Sequence, residues 1–563
     1  MAVQQTVKPA DVGLKREIGL IGATWSSETS LIGSGWLVGS FMASQAIGGA
    51  AVIDWVIGAI VALVLALVHA ELGGMYPVAG GTARFPHLAF GEGAGISFGF
   101  FSWLQAVTVP PIEAYAVIRY ASYYIHGIYN PDANGGAGNV THAGFALEIG
   151  LMAVFTLLNF IPMRAYNPIY SAITWWKVAI PVLTIVILFT QFHSQNFTAG
   201  GGFFPKYGLG SDGTTHFFPH GIGAQQIFEA LPGASVVFAF LGFEQADQLA
   251  GEIKNPQRNL PLAIIFSIII GAAIYILLQV VYIGAIPPGH LGPKGFAGIA
   301  ASDPIAVAPF AGLASLASFA WLSGLLRFDA WVSPLGTGAI YVTTTSRVSY
   351  GLSRNRYVPG IFGRVSRNGI PWFGMIFAFI FGIVFTLPFP SWHSLVSLIT
   401  SASVLMYAGA PLSLTAFRIR LPGASRPFRL PGASVLAPVG FVFAGLIIYW
   451  SGFETLWKLG ICIVLGYILI GINLAFDRGD RTPIKWAKSS WIIVYLLGMG
   501  LISWTGQFGK GHTGRLPFWW DMGVVAVFSL VIYYWATRRG SLTTGEMEAK
   551  IAEQAAPAEP VAA

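Results

Sequence analysis

The sequence predicts an all-α integral membrane protein of about fourteen transmembrane helices, and three observations predict it. Hydrophobic residues make up 55% of the 563 residues and charged residues 10%, against about 25% charged in an ordinary soluble domain. Charge this sparse does not coat a water-facing surface of this length, so the apolar excess must face lipid. Apolar runs of the roughly 20 residues that a helical span needs recur along the whole chain. Once those runs are laid out in alternating direction, Lys and Arg collect on one side, as cytoplasmic loops do.

In chain order the spans fall near 18–45, 52–76, 95–126, 143–162, 167–192, 223–250, 261–285, 312–350, 372–389, 393–416, 433–452, 457–476, 490–506 and 519–537. An even number puts both tails on one side. Of the 31 Lys and Arg, only Lys206, Lys294, Lys458, Lys510 and Arg515 fall on the opposite side, and Arg119, Lys177 and Arg327 fall within spans. The remainder, including Lys15, Arg16 and Arg538, share the side of the tails. The expected location is therefore a cell inner (plasma) membrane, multi-pass, with both termini cytoplasmic. The organisation reads as an N-terminal tail 1–17, a ten-span core 18–416, four peripheral spans 417–538 and a tail 539–563. From Gly545 the tail is rich in Ala, Glu and Pro, a composition that predicts disorder. The outer loops 127–142, 193–222 and 286–304 are rich in Gly, Asn and Pro and hold no long soluble domain.

Several function classes fall away. The single cysteine, Cys462, allows no internal disulfide and no Cys-based zinc site. The net charge of +7 follows from topology and does not imply nucleic acid. Gly95-Ile96-Ser97-Phe98-Gly99 matches a nucleophile elbow on paper, but that motif needs a strand-to-helix turn with a His–acid pair, and here it begins an apolar span. With no His-Glu-x-x-His, phosphate-binding loop or Cys-x-x-Cys pair, neither an enzyme, a metal nor a cofactor is expected.

Two spans carry mid-membrane interruptions. The first contains Ile32-Gly33-Ser34-Gly35-Trp36, the sixth Phe240-Leu241-Gly242-Phe243-Glu244. Gly35 and Gly39 also fit close small-xxx-small packing. The interruptions lie five spans apart, and secondary transporters are built from repeats whose leading helices are both broken near the midplane. A half-helix starting near Ser34 would offer free N–H groups and a positive dipole end to a carboxylate. One ending near Phe240 would offer carbonyls to an ammonium group. Together they describe a receptor for an amino acid backbone.

These residues carry a resemblance. Ile32-Gly33-Ser34-Gly35-Trp36 resembles the first-span signature of the amino acid–polyamine–organocation (APC) superfamily of transporters. Phe238 to Glu244, with Gly251-Glu252-Ile253-Lys254-Asn255-Pro256 to Pro261, resembles that family's sixth span and following loop. Ala70-Glu71-Leu72 to Pro77 with Gly80-Gly81 is similar to the end of its second span. Within it, Thr344-Thr345-Ser346-Arg347, Leu387 to Trp392 and Ile448-Tyr449-Trp450-Ser451-Gly452 resemble the bacterial aspartate–proton symporters. The resemblance implies a LeuT-like fold of two inverted five-helix repeats, with helices 1 and 6 broken. It implies alternating access and proton-coupled import of an amino acid, acidic or neutral. An exchanger, or an amino acid sensor on the same scaffold, are the alternatives; the partners implied are the substrate, protons and the lipid bilayer.

Charged residues inside spans complete the candidate site. Lys177 lies about 11 residues into the fifth span, roughly 16 Å deep at 1.5 Å per residue. A lysine there costs at least about 2.5–3.5 kcal/mol on insertion scales. The resemblance gives Lys177 the place that sodium takes in sodium-coupled relatives, so it is expected to carry the proton and to touch the broken first helix. Glu113, Glu244 and Asp329 are further proton-coupling candidates. Arg119 and Arg327 are candidates for specificity, with membrane-edge snorkelling the alternative for Arg119. Asp329 and Arg327 sit two residues apart and do not share a helix face, so Asp329 is expected to face a partner on another span or a cavity. Glu71 with Arg84, and Glu252 with Lys254 and Arg258, suggest ion pairs closing the cytoplasmic end. His87, in the same loop as Arg84, is expected to be exposed.

Overall fold

The computed structural model describes residues 16–555, apart from 79, 134–137, 162, 211–212, 288, 367–369, 388–391 and 477–483. Arg481, most of the N-terminal tail, Pro388 to Ser391 and the last eight residues lie outside the described residues, as do the side chains of 163–170. The described residues are mostly helical. Its first half runs α1 (Leu20–Leu31), α2 (Ser34–Ile47), α3 (Ala51–Met75), α4 (Gly81–Phe90), α5 (Glu92–Ala121), α6 (His142–Leu158), α7 (Met163–Phe189), α8 (Ala224–Gly233), α9 (Val236–Ala239), α10 (Gln245–Gln248) and α11 (Pro256–Gly284). There follow α12 (Pro304–Val307), α13 (Pro309–Leu316), α14 (Ala320–Arg354), α15 (Trp372–Thr386), α16 (Trp392–Tyr407), α17 (Gly409–Arg420), α18 (Ala433–Trp450), α19 (Phe453–Phe476), α20 (Trp486–Thr505), α21 (Phe518–Trp535) and α22 (Thr544–Ala555). Two small antiparallel hairpins, Tyr129–Asn130 with Asn139–Val140 and Tyr207–Leu209 with Thr215–Phe217, fold within the Gly-rich connections.

Among the described residues eight helical stretches are long and apolar enough to cross a membrane; α6 and α15 are apolar but shorter. A helix in the middle of such a bundle is apolar or small on all sides, whereas a peripheral one shows an apolar face to lipid. α5 is the first kind: every residue from Gly93 to Ala121 is buried. α19 is the second, exposing Val464, Leu465, Ile468, Leu469 and Ile472. The most extensive helix–helix contacts pair α3 with α11 and α5 with α14, and α1 packs on α11, α14, α7 and α10. Small residues permit close approach elsewhere too: a Cβ on Gly338 of α14 would fall against the Phe155 ring of α6.

Three expectations need correction. The run 312–350 is not one helix, because the chain turns at Ser318 (φ 64°), where Phe319 N returns to Ala314 O at 2.8 Å. Between the second and third spans the short helix α4 appears after Gly80 (φ 78°); its ten residues include Arg84 and Pro86, too short and polar for a hydropathy signal. The stretch from Gly545 is helical to Ala555 and docks. Met547 is fully buried, Lys550 Nζ pairs with Glu92 Oε1 at 2.6 Å, and Lys485 Nζ with Glu546 Oε1 at 2.6 Å. Composition alone hides this, because one apolar stripe, Met547 and Ile551, is spaced one turn apart among charges.

Candidate functional site

The first predicted break is present. The chain leaves helical geometry at Ile32 (ψ 77°) and Gly33 (ψ −140°) and re-enters it at Ser34. A helix end in a membrane must have its orphan N–H and C=O groups satisfied by protein, and four other helices supply the partners. Ser34 N and Ser34 Oγ donate to the Glu113 carboxylate of α5 at 2.8 and 3.0 Å. Lys177 Nζ of α7 donates to Thr29 O at 2.6 Å and to Thr337 Oγ1 of α14 at 2.7 Å. The Thr337 hydroxyl in turn donates to Thr29 O at 2.9 Å, and Tyr275 OH of α11 to Leu31 O at 2.6 Å. Glycine is required at 33 by space: a Cβ there would lie 2.7 Å from Glu113 Oε1 and 2.9 Å from Thr337 Oγ1.

The sixth span is interrupted twice, at Ser235 (φ 71°) and again between α9 and α10, where Gly242 has φ 119°. Glu244 folds back there, accepting from Gly242 N at 3.0 Å and from Tyr407 OH of α16 at 2.5 Å. The two breaks abut. A Cβ on Gly242 would lie 2.6 Å from Ser30 Cβ, and one on Gly35 would lie 3.1 Å from Ala239 Cα. Ser27 Oγ ties them together, donating to Phe243 O at 2.8 Å and accepting from Ala246 N at 3.3 Å.

Where the breaks meet lies a small cavity lined by Gly33, Gly35, Glu113, Leu241, Thr337 and Tyr341, among others. Its volume, about 10 Å³ measured to the centres of water-sized spheres, is close to that of a single water site. The site is closed, with the polar ends of the broken helix engaged by protein groups.

The amino acid permease family model matches residues 18–455. The chain belongs to the amino acid permease family. Over 551 residues it is 34% identical to the glutamate/serine transporter AimA of Bacillus subtilis, covering 95% of this chain and 96% of that protein. To the aspartate–proton symporter of the same organism it is 33% identical over 514 residues, 91% and 94% of the two chains. The branched-chain amino acid permease BcaP is more distant, at 23% over 468 residues. The permease is therefore a multi-pass membrane protein of amino acid transport and not an enzyme.

The permease does not gather all its sequence-predicted residues in the cavity. Gly33, Gly35 and Leu241 line it, and Glu113 lines it as well. Ile32, Ser34, Trp36, Phe240, Gly242 and Phe243 do not. Trp36 packs on Phe310, Phe240 on Trp55 and Tyr275, and Phe243 stacks on Tyr407. Ser34 gives its N–H to Glu113, so the terminus expected to be free for a carboxylate is already holding one. Lys177 touches the broken helix as expected. Asp329 finds Trp176 Nε1 on α7 at 2.8 Å and Ser333 Oγ at 2.8 Å. The two arginines stand elsewhere: Arg119 donates to the carbonyls of Ala306 and Val307, and Arg327 lies 3.4 Å over the Tyr123 ring.

The predicted cytoplasmic ion pairs are re-partnered. Glu71 takes Arg418 in two bonds of 3.0 and 2.5 Å, Arg426 at 3.3 Å and Leu430 N at 2.7 Å. Glu252 takes Arg347 at 2.9 Å. His87 is buried, its Nδ1 3.0 Å from Tyr357 OH. Sequence reasoning also missed Thr29, Thr337, Tyr275, Tyr407 and Glu28. The hydroxyl residues carry no signal in a span, where Thr and Tyr are common. Glu28 does: it is an acidic residue between two apolar stretches.

Proposed function

We propose that the permease imports an amino acid by proton symport with alternating access. The proposed frame is fourteen transmembrane helices, of which the first ten form two inverted five-helix repeats, with both termini cytoplasmic. Supporting the repeat are the two breaks five spans apart and the pairing of α3 with α11 and of α5 with α14, each the partner five spans on.

The observation that carries the proposal is the chemistry of the first break, where one buried carboxylate, Glu113, and one buried ammonium, Lys177, hold the two half-helices. A substrate carboxylate entering at Ser34 N displaces Glu113. Two carboxylates at one helix terminus repel unless one takes a proton, so substrate and proton binding favour each other, and the coupling is reciprocal. On the other side of the break, Lys177 clamps Thr29 O most firmly while it donates as a charged group; such bonds are roughly twice as strong as neutral ones. Loss of its proton frees α1 to move against α11 and α14. Glu244 and Asp329 are assigned supporting roles, each holding a neighbouring element through the bonds described.

The cavity's polar side chains, Ser30, Glu113, Thr337 and Tyr341, include no cation. This favours a small neutral side chain over a second carboxylate. The relatives' names put serine, glutamate and aspartate in the test panel. Uptake of each labelled amino acid into proteoliposomes is measured with and without an inward proton gradient. Gradient-stimulated uptake that is lost in Lys177→Ala is the expected result. Uptake indifferent to the gradient but stimulated by internal substrate would make the permease an exchanger and remove the proton role from Lys177 and Glu113.

A further inference from the structure

Glu28 is an acidic residue that the mechanism above leaves unused. It lies in the last turn of α1, one residue before the carbonyl that Lys177 holds, and is 0% exposed. Among the described residues neither of its carboxyl oxygens has a hydrogen-bond donor. A buried carboxyl without donors has a proton as the one partner it can still take, and ionisable groups inside a membrane mark ion or proton paths. α1 packs against α7, α10, α11 and α14. From α7, Lys177 acts on Glu28 electrostatically. From α11 the facing group is Tyr275. Glu113 on α5 and Asp329 on α14 act on the same lysine, while α10 contributes Asp247, whose charged neighbour is Glu244. Lys177 is thus the cation whose charge reaches three carboxylates on three helices, without an ion pair to any of them in the closed site. Glu113 and Asp329 are each held by two hydrogen-bond donors, and Glu28 is held by none.

We infer that Glu28 is a second proton site of the permease, exchanging one proton with Lys177 as the first helix moves. In the transfer an N–H bond of the Lys177 ammonium breaks, its electron pair stays on nitrogen, and an O–H bond forms on the Glu28 carboxylate. One cation and one anion become two neutral groups, so no net charge is created in the bilayer. The neutral amine is the weaker donor to Thr29 O, and the clamp on α1 loosens as Glu28 becomes neutral on that same helix. When α1 swings away from α11, Glu28 reaches water and releases the proton. The geometry that supports this is the placement of an unpartnered carboxyl and the lysine's carbonyl acceptor on adjacent residues of the one half-helix held by Lys177.

The inference rests on the symport reading, and the experiment separates the two. Wild-type permease, Glu28→Gln and Glu28→Asp are reconstituted and assayed with labelled serine, glutamate and aspartate. One arm follows uptake driven by an inward proton gradient; the other follows counterflow against internal unlabelled substrate with no gradient. The expected result is that E28Q loses gradient-stimulated accumulation and keeps counterflow, while E28D keeps both with a displaced pH profile. E28Q with wild-type gradient stimulation overturns the inference. So does a monodisperse E28Q that has lost counterflow as well, which makes the residue structural. Should E28Q not survive purification, an E28D pH profile superimposable on wild type overturns it. Absence of gradient stimulation in the wild type overturns the symport reading and this inference together, and is recognised because it appears without any substitution.

Discussion

Thr337 is the residue whose removal tests the closed break most cleanly. Thr337→Val keeps the shape and the β-branch and deletes one hydroxyl. That hydroxyl accepts from Lys177 Nζ at 2.7 Å and donates to Thr29 O at 2.9 Å. A hydrogen bond to a charged group contributes about 1.5–3 kcal/mol and a neutral one about 0.5–1.5 kcal/mol. Thr29 O keeps its bond from Lys177 at 2.6 Å, so its loss is partial, and a net destabilisation of the closed break of about 2 kcal/mol is expected. Local opening governs amide exchange, and 1.4 kcal/mol is a factor of ten, so exchange across residues 28–36 should quicken about 25–30-fold. Hydrogen–deuterium exchange of the purified permease reads this directly. Thr337→Ser, which restores the hydroxyl, should exchange at the wild-type rate. Unchanged exchange over 28–36 in T337V would refute the claim that this hydroxyl holds the break.

Three further outcomes follow from the packing. Gly242→Ala introduces a Cβ 2.6 Å from Ser30 Cβ at φ 119°, and strain with overlap should destabilise by about 2–4 kcal/mol, seen as a lowered thermal midpoint in detergent and loss of uptake. Arg418→Ala leaves the fully buried Glu71 with the Leu430 N–H and the longer Arg426 contact alone, which should cost about 3 kcal/mol, measured in the same thermal assay and relieved by Glu71→Gln in the double variant. Where α22 docks, the Lys485 ammonium and the Thr543 N–H and hydroxyl hold the Glu546 carboxyl down at about 2. A depressed carboxyl stabilises docking above its ordinary value near 4.5 and loses that contribution as pH falls toward 2. Proteolytic protection of 544–555 should therefore be full at pH 6, persist at pH 5 and decline below pH 4, and Lys485→Ala should move the decline upward.

The membrane architecture was legible in the sequence because it is written in composition and in runs of about 20 residues, which local order cannot disguise. The two breaks were legible for a related reason: Gly33-Ser34-Gly35 and Leu241-Gly242 interrupt otherwise helical apolar text. What they contact was not. That Ser34 N is taken by Glu113, 79 residues on, and Thr29 O by Lys177, 148 residues on, depends on which faces of four helices converge, and periodicity in a helix buried on all sides, such as α5, does not choose a face. The same blindness left the partners of Arg119 and Arg327 unread. Depth in a span marks a charged residue as costly, and the structure shows each satisfied where it stands, by two carbonyls and by a tyrosine ring. The turn at Ser318 escaped because it lies inside a long apolar run without a Gly–Pro signal, and the docked helix α22 because it carries no long apolar run.

The position of Glu113 separates two ways in which a permease can use a carboxylate beside its substrate. If Glu113 served as the partner of the substrate's ammonium group, Glu113→Ala would weaken binding. In the closed site it instead takes up both the N–H and the hydroxyl of Ser34, the donors the proposed mechanism gives to the substrate carboxylate, so on that mechanism it competes with the ligand. Removing a competitor has the opposite sign. Glu113→Ala should bind substrate more tightly than wild type, because Ser34 N–H is left without its internal acceptor and the ligand supplies one. Coupling should fail in the same variant, since the repulsion that ties proton uptake to substrate entry is gone. Equilibrium binding to purified E113A, set beside gradient-driven uptake, reads both terms at once. Tighter binding with gradient-indifferent uptake is the expected pair. Weaker binding would move Glu113 from the substrate's carboxylate end to its ammonium end and reverse the orientation of the amino acid between the two broken helices.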